Sequence, residues 1–456
     1  KGMGYAVAVV AAATLLGASI SSWDVLMYPI LNLRMGAFAT VIAVACVASW
    51  ILRRDAETPS GERYIATTIQ ITALGMLCFG LSQETYFVLS WRWKGTPDEL
   101  LFQTMYVTAI IWAFVALVAH GLGRRRSDLT LRQSALTVAV MAFALPLVAS
   151  SLNPHFPAGS PFWNVRWFSY LGVAALLGNL LYSFGDKRYE DESEASVGMF
   201  IRLAVALLLL IGPSLELYSG AYLADQAAGE LRAVMIQFIE TMFWAVFALA
   251  LIAVGCVRKL RDMKGMGYAV AVVAAATLLG AAISSWDVLM YPILNLRVGA
   301  FATVIAAACV ASILLLRNEE RQIAWTMQIT ALGMLWFGLS QETYQFFWYN
   351  RDLYPNWELA AQMGISIIWT SLGVASFLVA LWRGMRAVRL IALGMLALTA
   401  SKLFLLDFAY LDGIYRILSF GALGLALVGI SWLYSHFQIG GETPDQMATN
   451  AHGIKS

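Results

Sequence analysis

Fourteen apolar runs follow one another along the 456 residues of this chain, each close to the roughly 20 residues a helix needs to cross the hydrocarbon of a bilayer. They centre on 4–22, 34–52, 66–87, 103–122, 132–151, 165–184, 198–217, 233–256, 267–285, 297–316, 325–346, 362–382, 388–406 and 414–435. In lipid no water satisfies backbone N–H and C=O groups, so successive apolar runs of this length have to be helices. Composition agrees, with 60% hydrophobic and 13% charged residues, about half the charged share of a soluble domain. The predicted fold is an all-α integral membrane protein with about 14 transmembrane helices.

Lys and Arg set the orientation, because loops on the cytoplasmic side carry an excess of both. With the N-terminus inside, most of the 30 Lys and Arg fall in inner segments, including Arg124-Arg125-Arg126, Lys187-Arg188 and Arg258-Lys259. Both termini are therefore expected in the cytoplasm. The first run has no cleavage site, so it reads as a span and not as a signal peptide. The chain opens on Lys1 instead of Met.

Internal repetition organises the rest. Residues 1–52 return almost unchanged at 264–315, and Ser21 to Arg34 recurs letter for letter at Ser284 to Arg297. Gln70 to Tyr86 returns at Gln328 to Tyr344 with one change, Cys78 to Trp336. A weaker period of half that distance defines a unit of four helices, here a, b, c and d. Helix a ends in Ser-x-Glu (Ser82/Glu84, Ser214/Glu216, Ser340/Glu342), helix b carries Trp112, Trp244 or Trp369, and helix d opens with Arg34, Arg166, Arg297 or Arg416. The reading is a c–d pair at 1–63, four-helix units at 64–193, 194–322 and 323–438, and a flexible cytoplasmic tail at 439–456. Units of four helices share one orientation, so these are parallel tandem repeats. At least one further a–b pair is expected upstream of Lys1.

The last residues, from Ser401-Lys402 through Asp407, Tyr415-Arg416 and a Gly-containing helix to Tyr434, resemble the closing signature of the DUF2339 family of bacterial membrane proteins. The resemblance implies a long multi-spanning protein of the bacterial cytoplasmic (inner) membrane and carries no activity with it.

Motifs of soluble enzymes are absent: no P-loop, no dinucleotide fingerprint, no HExxH and no GxSxG. The four histidines are scattered and the four cysteines lie in apolar runs without CxxC spacing, so no metal and no cofactor is expected. What remains is a layer of ionisable residues at the outer ends of the helices: Glu84, Glu216, Glu342 and Glu240, Arg34, Arg166, Arg297 and Arg416, with Asp407 closing a helix c. Charges within spans are costly, and usually pair or face a cavity. Two readings stay open: each unit carries its own Glu–Arg clasp, or one or two units line an outward cavity for a charged ligand. Lys402 and Glu240 stand apart. Their counterparts are Ser19 and Ala282 for the first, Thr108 and Ile365 for the second. Lys402 is expected near Asp407 and Glu342, or as a Lys snorkelling to the interface. Aromatic residues of the outer loops fit an interfacial belt.

The first expectation for function is binding or translocating a lipid-linked or anionic envelope molecule through an outward-facing cavity. The alternative is a non-catalytic scaffold subunit of a larger membrane complex, and a membrane-embedded transferase comes third. Expected partners are membrane lipids and other membrane-protein subunits, and no nucleic acid.

Overall fold

The computed structural model describes residues 33–54, 60–91, 94–153, 162–182, 192–224, 229–285, 291–293, 295–382, 384 and 386–402, with isolated positions up to 432. Among these residues every regular element is a helix. They are α1 (Leu33–Arg54), α2 (Ser60–Ser90), α3 (Pro97–Arg125), α4 (Leu129–Leu152), α5 (Val165–Tyr182) and α6 (Glu192–Ala224). Then follow α7 (Gly229–Arg258), α8 (Arg261–Ser284), α9 (Leu296–Arg317), α10 (Arg321–Tyr349), α11 (Trp357–Trp382) and α12 (Arg386–Lys402). Each falls on one of the expected spans. The expected helices at 4–22 and 414–435 lie outside the described residues, apart from single positions of the latter. Nine of the described helices are long and apolar enough to cross a membrane, and Met35–Ser49 and Val165–Leu181 are shorter apolar helices. The protein is a multi-pass membrane protein.

Several helices outrun the apolar stretch that announced them, because polar residues cap them beyond it. At α3 the Thr96 side chain accepts from the Glu99 N–H and Glu99 returns the bond to the Thr96 N–H, with Pro97 just inside the helix. That capping box satisfies two of the N–H groups a helix start leaves without partners.

The chain divides into two compact units, Lys1–Ser285 with Ala306–Ala324, and Trp286–Ile305 with Trp325–Ser456. In the first unit, adjacent helices pack as antiparallel hairpins on small residues. Ala109, Ala113 and Ala116 of α3 and Ala135, Ala139 and Ala142 of α4 are all buried, and such side chains let two backbones approach closely where lipid offers no hydrophobic drive to association.

The α3–α4 and α7–α8 turns are copies of one another. Asp128 N–H donates to the Gly123 carbonyl and Leu260 N–H to that of Gly255. The residue before each, Ser127 or Lys259, has a positive φ of 53° or 57°. This is a Schellman closure. A Cβ on Gly255 would collide with Lys264 Cγ and lie 2.8 Å from its backbone N, and one on Gly123 would lie 2.9 Å from Arg132 Cγ. Only glycine lets the returning helix come that close.

In the second unit α11 and α12 pack through Phe377, Ala392 and Leu396, and Phe301 of α9 lies against Gly338 of α10.

Candidate functional site

The repeated Ser-x-Glu of helix a divides its labour. Two residues along an α-helix turn by about 200°, so the Ser and the Glu face nearly opposite neighbours. The Ser meets helix b. Trp112 Nε1 donates to Ser82 Oγ at 3.0 Å, Trp244 Nε1 to Ser214 Oγ at 2.7 Å, and Trp369 Nε1 to Ser340 Oγ at 2.7 Å. Each hydroxyl in turn donates to the carbonyl four residues back, on Cys78, Leu210 or Trp336. The hydroxyl is thus filled as donor and as acceptor.

The Glu meets helix d. Arg166 Nε donates to Glu216 Oε1 at 2.7 Å, and both side chains are fully shut off from solvent. Arg166 Nη2 donates to Ser219 Oγ and to the Leu215 carbonyl. The other carboxylate oxygen accepts from Asn164 Nδ2 at 2.6 Å and from the Phe162 N–H at 2.9 Å. The same assembly recurs at Glu342. Arg297 Nε donates to Oε1 at 2.8 Å, Asn295 Nδ2 lies 3.2 Å from Oε2, and the Ile293 N–H donates to Oε2 at 3.0 Å. Arg297 Nη2 sits 2.7 Å from Oε1, close enough to pair as an ion, but out of line for a hydrogen bond, so both terminal nitrogens lack a hydrogen-bond partner.

Two features of this clasp escaped the sequence reading. One is the Asn two residues before the Arg. Asn164 and Asn295 also accept from the N–H three residues on, Trp167 and Val298, so they start helix d and hold the Glu at once. Asn32-Leu33-Arg34 repeats the spacing, and that recurrence was the available signal. The other is backbone geometry. Phe162 and Ile293, four residues before each Arg, have φ of 61° and 69°, which turns their N–H toward the carboxylate. Nothing in residue type announces this, since a β-branched residue rarely adopts that conformation.

A third tie holds helix a near its far end. Gln70 and Arg202 each lie 14 residues before the Glu of their helix, about 21 Å along the axis. Gln70 Nε2 donates to Asp128 Oδ2 at 3.1 Å, and Arg202 Nε to Asp262 Oδ2 at 2.5 Å. Both carboxylates sit at the start of a helix c.

Of the remaining candidates, Glu84 is buried and has partners, while the side chain of Arg34 and all of Asp407 and Arg416 lie outside the described residues. Glu240 on α7 lies near Ser214 of α6. Lys402 donates to the Gln362 carbonyl at 3.0 Å and to Ser366 Oγ at 2.8 Å, and its amine lies 5.9 Å from the centre of the Trp369 ring. Its neighbours on α11 are thus a backbone carbonyl, a hydroxyl and an indole. Of the two residues that break the repeat, Lys402 thus brings a charge to the indole of its own unit's Ser–Trp contact.

Among the described residues no cluster of His, Cys, Asp or Glu could hold a metal ion. A cleft of about 650 Å³ opens between α1, α2, α3 and the α3–α4 turn. None of the candidate residues whose side chains are described lines it.

Comparison with known proteins adds a family match over part of the chain. Residues 263–437 match the family model of predicted membrane proteins, DUF2339. The DUF2339 match begins at α8 and takes in the second Arg–Glu clasp, so it reaches further forward than the closing signature that suggested it. No curated protein and no solved structure matches the chain.

Proposed function

We propose that this protein is a non-catalytic integral scaffold of the bacterial cytoplasmic membrane, built from tandem four-helix units and serving other membrane subunits as a docking frame. The observation that carries the proposal is the Arg166–Glu216 clasp. Its guanidinium and carboxylate spend their hydrogen bonds on each other, on Asn164, Ser219 and the backbone, with no exposure left for a ligand. Residues that recur with every unit and are used up in tying helices together support a frame. Extraction of the full-length protein from native membranes with its neighbours retained is the test: a partner at fixed stoichiometry is expected, and a chain that always emerges alone overturns the scaffold.

One observation favours the second reading, binding or translocation of a lipid-linked or anionic envelope molecule. In the clasp of Arg297 the terminal nitrogens are buried without hydrogen-bond partners, where Nη2 of Arg166 has Ser219 and a carbonyl. An anion at Arg297 would complete that set. Density touching the Arg297 guanidinium in a map of the protein in native membrane would support this reading over the scaffold.

A further inference from the structure

The cleft between α1, α2 and α3 has the length, wall chemistry and charge of a site for one membrane lipid. Its long wall runs from Phe114 to Leu122 on α3, and Arg126 closes it at the turn. Those twelve residues of rise span about 18 Å, close to the roughly 15 Å of hydrocarbon in one leaflet. The opposite wall is Ile42 and Cys46 of α1, the floor Leu74 and Leu77 of α2. A pocket this size is within the usual 300–1,000 Å³ of small-molecule sites. A partner helix crossing the membrane would need a groove about twice as long.

The turn end is polar and basic. Arg126 is exposed at the rim, beside Ser127 and Thr130, and Arg124, Arg125 and Arg132 flank it in sequence. Asp128, the one carboxylate among the described residues of the rim, is already engaged by Gln70 Nε2 and the Leu131 N–H. Gln70 supplies an independent sign of an occupant. Its Oε1 is buried and has no hydrogen-bond partner, an arrangement that costs about 1–3 kcal/mol unless a donor arrives. A glycerol hydroxyl is such a donor.

We infer that this cleft binds a single anionic phospholipid, its acyl chain along α3 and its phosphate at Arg126, with a headgroup or glycerol hydroxyl on Gln70 Oε1. The site is independent of the scaffold proposal, since none of its lining residues belongs to a clasp.

The full-length protein is reconstituted in bilayers of phosphatidylethanolamine with a minority of phosphatidylglycerol, and lipid retained after delipidation is counted by native mass spectrometry. One phosphatidylglycerol per chain is expected to persist. Val118→Trp, from a half-exposed wall position, should abolish retention. Arg126→Glu, on the exposed turn, should keep a lipid but lower the preference for phosphatidylglycerol at least about fivefold, the factor expected of one basic residue at an anionic surface. Retention of both lipids in their bulk proportions overturns the inference, as does an unchanged preference in Arg126→Glu, which needs no assumption about how Val118→Trp folds. A disulfide or short cross-link from Cys46 to a second protein chain, with no lipid retained, overturns it as well.

Discussion

The Glu216 carboxylate accepts from a guanidinium, an amide and a backbone N–H, and each of those donors would be stranded without it. Glu216→Gln is therefore expected to cost about 3–5 kcal/mol, the range for breaking one partner of a buried pair. Arg166→Met with Glu216→Met, which removes both charges, should recover much of that loss in an unfolding titration. Equal losses in the single and double variants would contradict a paired clasp. Ile293 makes the opposite case. It holds φ at 69° with its side chain 65% exposed, so the clasp draws its N–H from strained backbone and loses little packing if the side chain goes. Ile293→Gly should raise stability by about 1 kcal/mol, read as an increase in Tm. Sequence alone placed Glu216, Arg166, Glu342 and Arg297 in one layer. It could not pair them, because the partner of each residue depends on which way round the helix it points. Both observed pairs join helix d of one sequence-defined unit to helix a of the next, across the boundaries at 193 and 322. Lys402 was less legible still: one of its acceptors is the backbone carbonyl of Gln362, and carbonyls leave no mark in a residue pattern.

Helices were the readable level, since bilayer thickness fixes their length and the apolar runs report it directly. Their close approaches were not. Gly255 and Gly280 look alike in the sequence, but a Cβ on the first would collide with Lys264 while one on the second meets nothing within 4 Å. Gly255→Ala is expected to destabilise by about 1–3 kcal/mol, as overpacking does, and Gly280→Ala to stabilise by up to about 1 kcal/mol through helix propensity. Thermal unfolding of the two variants side by side checks this. At the end of α9, Glu320 pairs with Lys264 and accepts from the Tyr268 hydroxyl at 2.8 Å. The Lys264 ammonium holds the Glu320 carboxyl below the usual glutamate range. A depressed acid stabilises the fold above its unfolded pKa and loses that contribution as pH falls through the folded value. The Tm of the wild type should thus drop more between neutral and mildly acidic pH than that of Glu320→Gln, by a modest margin because the pair is partly exposed.

Across the molecule, the distribution of Lys and Arg predicts which ends face the cytoplasm. Ser127 and Lys259 sit in the two copied turns on the predicted inner side, and Trp163 and Tyr354 lie in loops on the predicted outer side. With Ser127→Cys or Lys259→Cys, an impermeant maleimide should label only inverted vesicles. With Trp163→Cys or Tyr354→Cys it should label intact cells. The reverse pattern would overturn the orientation.

The half-turn offset between Ser and Glu on helix a has a mechanical meaning. A rod gripped on one flank by an indole and on the other by a guanidinium resists twisting about its own axis, since any roll that relaxes one grip pulls the other open. Sliding meets the same resistance from the third tie, at Gln70 or Arg202, roughly four helical turns away. Helix α6, which carries all three ties, is thereby keyed in both rotation and translation. A load placed on α6 is therefore passed along it as along a rigid shaft.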